Sequence, residues 1–272
     1  MVCPSHIRHQ KKALKLLGIN ISCLDSFVWD SNLNGLGAGS LSEEQNNILK
    51  PIMKKKFLEK TSYEWEYLFG INGVPGSAAR SMDEWMNLSH TRDSGLVSNG
   101  RLCSFGWFHD SKSIDNVNFK QKKNISEIKV VDLTNVIAGP TIGTMLARFG
   151  ADVIKIDPVK PTYSPDICVF YGLATNMGKK SVLLDIYKSD GYKVLCEILK
   201  DSDLLLVNCT CECLERMKLS RHYLKKINPN LLLCQFDAWS GPNKNKGFMS
   251  NYNGYDDCIQ SSIGIMERFG GG

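Results

Sequence analysis

Two features that would assign the chain quickly are missing. No apolar run approaches the ~20 residues a membrane-spanning helix needs, and no G-x-G-x-x-G follows the first predicted strand, which argues against a nicotinamide dinucleotide. Charge of one sign is also lacking: 33 Lys and Arg stand against 28 Asp and Glu, a net charge of +5 with no long block. That is an ordinary solvated surface rather than a nucleic-acid footprint. The N-terminus has no apolar signal region, and the ten cysteines follow no regular framework. Both point to reduced thiols in an intracellular compartment. Cys209, Cys211 and Cys213 alternate in NCTCEC, but no second cluster completes a zinc ligand set, and no metal is expected. His6, His9, His90, His109 and His222 fall in polar segments that read as exposed, and their order suggests no Ser-His-Asp arrangement.

At 272 residues and 43% hydrophobic, the chain can bury one large core or two modest ones. Two parts with different patterning are expected, divided at residues 123 and 124. The first reads as helices. His6–Leu17 is basic and amphipathic, either a surface helix or a mitochondrial presequence. Ser42–Leu58 opens with a Ser42-x-x-Gln45 capping box and carries Pro51, where a kink is expected. Ser62–Phe69 and Ser81–Leu88 flank a Gly73–Gly76 turn, and 93–123 reads as a strand or two followed by a linker.

From 124 onward, strands and helices alternate. Lys129–Asp157 encodes strand, turn, helix and strand. Ile142, Met145, Leu146 and Phe149 are expected on the buried helix face, with Gly150 as the C-terminal cap. Strands are expected at 181–186, 203–207 and 231–235, with helices at 191–200 and 223–227. The near-continuous apolar runs VVDL, DVIKI, LLLV and LLLC read as strands buried on both faces. The fold class is therefore α/β: a Rossmann-like, mostly parallel sheet with flanking helices, preceded by a mainly helical segment. Its ligand crevice should lie at the carboxyl end of the first strand, beside the following helix N-terminus.

DLTNVIAGPTIGTMLARFGADVIKID, NMGKKSVLLDI, LLLVNC, LERM, INPNLLLC and GYDDCIQSSIG, in that order, resemble the N-terminal half of the class III CoA-transferases. This is the family of formyl-CoA transferase, carnitine CoA-transferase and α-methylacyl-CoA racemase. FLEKTSYEWEYLFGINGVPG followed by SMDEWM resembles the family's C-terminal part. The reversed order implies the junction of two tandem copies, or a circular permutation, with the remainder of the second copy outside this chain.

The resemblance implies coenzyme A as the acyl carrier, with acyl-CoA and a carboxylic acid as partners. It also implies another family copy or a homodimer partner, and neither nucleic acid nor membrane. Cytoplasm and mitochondrion both remain open. Carried over by position, Val136, Ile137, Ala138 and Gly139 line the adenine and phosphate region, and Lys179 and Lys180 form a basic pair facing phosphate. Leu184 packs on the adenine, Asn208 meets the CoA chain, and Arg216 with Met217 supplies a guanidinium and an apolar contact. As plain structure, the same residues read as a strand-to-helix turn, exposed lysines, core and a solvated helix arginine. Two departures weaken the nucleotide site: Cys209-Thr210-Cys211-Glu212 replaces a Phe-x-Pro-Gly, bringing an acid toward phosphate, and Pro158 stands where some members have arginine.

The family's reaction uses an aspartate that attacks the thioester and becomes an aspartyl-CoA intermediate. The resemblance places it beyond GYDDCIQSSIG, where this chain shows no match. Asp256 is left with an orienting role, or with capping a helix near Asp257. The racemase branch has histidine where Tyr255 stands, so transfer is preferred to racemisation. A catalytically silent CoA-binding or interaction fragment is the alternative.

Overall fold

A computed structural model describes residues 1–4, 7–19, 42–103, 106–107, 122–160, 165–243 and 246–270. His6, His109 and most of the expected linker lie outside the described residues. The chain divides into two compact units, Met1–Phe105 with Ala238–Gly272, and Gly106–Asp237. The expected boundary at 123/124 falls within the second of these, and residues 238–272, grouped by sequence with the Rossmann-like part, pack with the helical one.

The helical unit contains α1 (Ile7–Leu16), α2 (Glu43–Phe57), α3 (Ser62–Ile71), α4 (Met82–Met86) and α5 (Ser89–Asp93). Antiparallel strands β1 (Val97–Ser98) and β2 (Arg101–Leu102) follow. Ser42 and Gln45 form the expected capping box, and α2 continues through Pro51. Thr61 with Glu64 and Ser81 with Glu84 start α3 and α4 the same way, each satisfying backbone N–H groups that a helix start leaves open. Leu14, Leu17, Leu49, Trp65, Phe69 and Val74 make one core, with Trp65 stacked on Phe69 at 5.4 Å. Trp85, Trp239, Met249, Tyr252 and Cys258 make another, which draws the 238–272 segment into this unit. His90, read from sequence as exposed, is fully buried here: its Nε2 donates to Trp239 O at 2.9 Å and its Nδ1 accepts from Met249 N–H.

The second unit runs β3 (Lys129–Asp132), α6 (Ala138–Arg148), β4 (Asp152–Asp157), α7 (Pro165–Asn176), β5 (Lys180–Leu183), α8 (Ser189–Lys200), β6 (Leu204–Val207), α9 (Cys211–Arg216), α10 (Arg221–Ile227) and β7 (Leu232–Gln235). Helices α11 (Asp256–Ser262) and α12 (Ile265–Phe269) then belong to the helical unit. The five strands form one parallel sheet in the order β5-β4-β3-β6-β7. Helix α7 had no sequence expectation, and α9 was anticipated only in reading Arg216 as a solvated helix arginine. Central β6 is almost entirely buried, as LLLV implies, whereas β7 is an edge strand with Leu232 open to solvent, contrary to the two-sided burial expected of LLLC. Among the described residues, no helix is long and apolar enough to cross a membrane.

The topology sets the position of the candidate site. From β3 the chain winds outward through β4 and β5, then returns to the other side of β3 for β6 and β7. The connections diverge at that reversal, above the carboxyl ends of β3 and β6, the position at which open α/β sheets bind ligands.

Candidate functional site

The crevice is built first by the β3 terminus. Asp132 ends the strand fully buried, and its Oδ1 accepts the Thr134 N–H at 2.9 Å and the Thr134 hydroxyl at 2.5 Å, which turns the chain upward. Asn135 then exchanges two bonds with Asn208 at the end of β6: its N–H donates to Asn208 Oδ1 at 3.0 Å, and its carbonyl accepts from Asn208 Nδ2 at 2.9 Å. This reciprocal clamp ties together the loops leaving the paired strands β3 and β6 at the switch point.

Val136 follows at φ +68°. A β-branched residue in the left-handed region costs roughly 1–3 kcal/mol, and such strain tends to concentrate where a loop is shaped for a ligand. Ile137 is the N-cap of α6 and has no side chain able to cap it. Pro140 has no N–H, so the amides of Ala138 and Gly139 are the donors at this helix start, with the positive end of the helix dipole behind them. Ile137 and Ala138 are exposed and Gly139 is buried.

Glycine is required at two positions. A Cβ on Gly139 would lie 2.4 Å from Thr134 Cβ, and one on Gly143 would lie 2.4 Å from Asp132 Oδ2. These absences let α6 settle onto the β3 terminus. They also overturn the expected buried face: Gly139, Pro140, Gly143 and Thr144 face the sheet, while Ile142, Met145 and Phe149 are exposed. Of that stripe only Leu146 packs inward, against the cluster of Val130, Val153 and Leu206.

The lysine pair does not face the crevice together. Lys179 is buried with Asp132, its ammonium donating to Asp132 Oδ2 (2.7 Å), Pro140 O (2.7 Å) and Asn176 Oδ1 (3.1 Å). All three N–H donors are used inside the fold, and burial draws its pKa below the ordinary lysine value, against the opposing pull of Asp132. Lys180 is exposed and pairs with Asp152, the first residue of β4, at the amino end of the sheet and away from the crevice. Leu184 follows β5, donates its N–H to Asp157 O, and packs partly buried at the edge of the main core.

Arg216 closes α9 and is exposed. Met217 is partly buried against the main core. Gln235 at the end of β7 donates to Cys209 O at 2.9 Å, fixing the loop leaving β6. Among the described residues, no group of three His, Cys, Asp or Glu could hold a metal.

Asp256 lies in the helical unit as the first residue of α11, exposed and accepting from Gln260 Nε2 at 2.5 Å. Tyr255, rather than an acid, is the N-cap.

Several contributors carried a sequence signal that went unread. The D-x-T of Asp132 and Thr134 is an Asx-turn pattern. Lys155 is a charge in the middle of an apolar strand; its side chain is buried and bonds to Asp157 Oδ1 at 2.5 Å. Asp157 ends β4, where dinucleotide-binding sheets place the acid that meets a ribose. Only the clamp by Asn135 lacked a local signal, because its partner is 73 residues away.

The family model of CoA-transferase family III matches residues 125–272, more than half of the chain and all five strands of the parallel sheet. The chain belongs to this family. The CoA-transferase/lyase DddD of Marinomonas sp. (strain MWYL1) is 33% identical over an alignment taking in 99% of this chain and 38% of that protein. The succinate–glutarate CoA-transferase of Agrobacterium fabrum (strain C58 / ATCC 33970) is 28% identical over 55% of this chain and 40% of its own length. A CAIB/BAIF family protein from Brucella suis, known from its crystal structure, is 28% identical at a TM-score of 0.46, covering 54% of this chain and 40% of that one. This family III chain thus spans about two fifths of the length of the two curated relatives.

Proposed function

We propose that this chain is part of a CoA-transferase that moves CoA between an acyl-CoA thioester and a carboxylic acid, and that it holds the nucleotide end of CoA in the crevice above β3 and β6. The observation carrying this reading is the α6 start: a strained Val136, a glycine-tight turn, and helix amides without a side-chain cap, all at the topological switch point. Main chain from Val136 to Gly139 meets phosphate oxygens. Arg216 adds a guanidinium fork whose geometry suits them, and Leu184 with Met217 offers apolar contact to the adenine side. Asn208 acts by holding the Asn135 turn. Lys179 supports the turn from beneath, and Lys180 has no part in the site.

The chemistry follows from family membership. A carboxylate attacks the thioester carbonyl and CoA leaves as thiolate, giving a mixed anhydride. The thiolate then attacks the aspartyl carbonyl and releases the donor acid, leaving aspartyl-CoA; the acceptor carboxylate repeats the two steps in reverse. In this reading the attacking aspartate comes from another part of a family copy, and this chain contributes CoA binding. The arrangement is a tandem junction, helical part first. It is supported by DddD matching 99% of this chain within 38% of its own length, in the same order.

Calorimetric titration of the full chain with CoA tests the site. Saturable binding below millimolar is expected, with a loss of about tenfold or more (~1.4 kcal/mol) in Arg216→Gln. A folded chain that shows no saturation at millimolar CoA would refute the assignment. Thioester exchange with hydroxylamine trapping, on a protein containing two family copies, then separates a transferase from a silent CoA-binding chain.

A further inference from the structure

Lys155 stands in the middle of the apolar DVIKID run of β4, with its side chain 4% exposed. Burying an ammonium is costly, and an aliphatic side chain would fill the same place without that cost. Asp132, its register partner on β3, does not need the charge, because it already pairs with Lys179 and accepts twice from Thr134. Lys155 instead donates to Asp157 Oδ1 at 2.5 Å and to Ile156 O at 3.3 Å. The buried ammonium therefore serves one acid.

Asp157 is placed for a ligand rather than for the core. Residues two apart on a strand share a face, so Lys155 and Asp157 both lie with Asp132 on the α6 side of the sheet. The last β3–β4 pair joins Asp132 to Lys155, so Asp157 projects two residues past the end of β3, beside the turn running from Thr134 to Gly139. Its carbonyl accepts the Leu184 N–H at 2.9 Å, which holds the main chain at this point. Its side chain is 41% exposed, and among the described residues no hydrogen bond reaches Oδ2. One oxygen is fixed from beneath while the other stays an open acceptor. The acid falls about 20 residues after Gly139, the separation at which open α/β sheets set a carboxylate against a nucleotide ribose.

We propose that Asp157, held by Lys155, accepts a hydrogen bond from the ribose of CoA, an assignment that rests on the nucleotide reading above. The adenosine of CoA carries phosphate on its 3′ and 5′ oxygens, so the 2′-hydroxyl is the ribose hydroxyl left to donate. A bare carboxylate there would repel the adjacent 3′-phosphate. The Lys155 ammonium offsets that charge at close range, so the pair presents a hydrogen-bond acceptor with no net charge. Asp157 is the binding residue, and Lys155 positions and neutralises it. The α6 start then meets the phosphates and the end of β4 meets the sugar, on adjacent strands of one sheet.

The test is calorimetric titration of the full chain with adenosine 3′,5′-diphosphate, the nucleotide end of CoA, and with its 2′-deoxy counterpart. The ribose form should bind about tenfold more tightly, the worth of one hydrogen bond to a charged group. Equal affinity, within about twofold, overturns the assignment. In Asp157→Ala the preference should vanish; a preference surviving there means that another residue reads the hydroxyl, and the assignment falls. In Lys155→Met, with folding checked by far-UV circular dichroism, Asp157 keeps its charge but loses its anchor. The preference should drop to about threefold or less, and adenosine 3′,5′-diphosphate should lose more affinity than 5′-AMP, which has no 3′-phosphate to repel. A general loosening of the fold would weaken both nucleotides alike, so an unchanged ratio between them overturns the role of Lys155. The parent chain and Asp157→Ala decide the role of Asp157 even if Lys155→Met does not fold. A folded parent that binds neither diphosphate at millimolar concentration removes the nucleotide reading itself, whereas binding without a 2′-preference leaves that reading standing and removes Asp157 alone.

Discussion

Replacing Lys179 by methionine deletes the ammonium under α6 while keeping most of the stem's volume. Asp132 would be left fully buried, with only the Thr134 N–H and hydroxyl as partners. Removing one member of a buried ion pair typically costs about 3–5 kcal/mol, because the remaining charge has no compensation. The two Thr134 bonds survive, so about 3 kcal/mol is expected. With a urea slope of about 2 kcal/mol/M, the unfolding midpoint should fall by about 1.5 M. Far-UV circular dichroism follows this transition, and tryptophan fluorescence serves as a separate probe, since buried Trp65, Trp85 and Trp239 all belong to the helical unit. Adding Asp132→Asn removes the orphaned charge and should return about 2 kcal/mol. A Lys179→Met protein within about 1 kcal/mol of its parent, or a double variant weaker than the single one, would refute the buried-pair account.

Val136→Gly should stabilise the chain by about 1 kcal/mol, since relief of the positive-φ strain outweighs the added backbone freedom; a midpoint lower than the parent's would count against a strained turn. Gly139→Ala should cost about 1–3 kcal/mol by driving a methyl into Thr134, and should weaken CoA binding in the same titration. Burial, outweighing the opposing pull of its bond to the Trp239 carbonyl, pushes the His90 imidazole below its ordinary 6.5. The unfolded chain therefore binds the proton more readily, and stability present above about pH 6.5 is lost as pH falls toward the lower native value. Urea midpoints read by tryptophan fluorescence between pH 7.5 and 5 should decline accordingly, and a flat profile would contradict a neutral, buried imidazole.

The sheet was legible because parallel strands buried on both faces leave continuous apolar runs. Capping boxes were legible for a similar reason: Ser42 and Gln45 interact within one turn, so the signal is local. His90 failed the same kind of reading. Its neighbours Ser89, Thr91, Arg92 and Asp93 look like a surface segment, and only Trp239 and Met249, about 150 residues on, enclose it. Lys179 and Lys180 show the limit most clearly. Adjacent in sequence, they point one toward the buried Asp132 and the other toward Asp152 at the sheet's amino end. At a strand start, alternation sends neighbours to opposite faces, so a basic pair there cannot act as one positive patch.

The same close approach that shapes the crevice explains why α6 defied its hydrophobic pattern. A helix normally turns its widest apolar stripe toward the sheet, but here a buried ion pair and the Thr134 turn occupy the space beneath it, leaving room for backbone and small side chains only. Gly139 and Gly143 therefore determine the contacting face, and the helix must rotate until they meet Thr134 and Asp132. Ile142, Met145 and Phe149 are carried outward as a consequence of that rotation. The amides at the start of the helix are held in place by the same contacts. Any substitution that lets α6 roll back onto its larger side chains should lift the Ala138 and Gly139 donors away from the switch point, so exposure of the apolar stripe and integrity of the proposed anion site are two results of one packing choice.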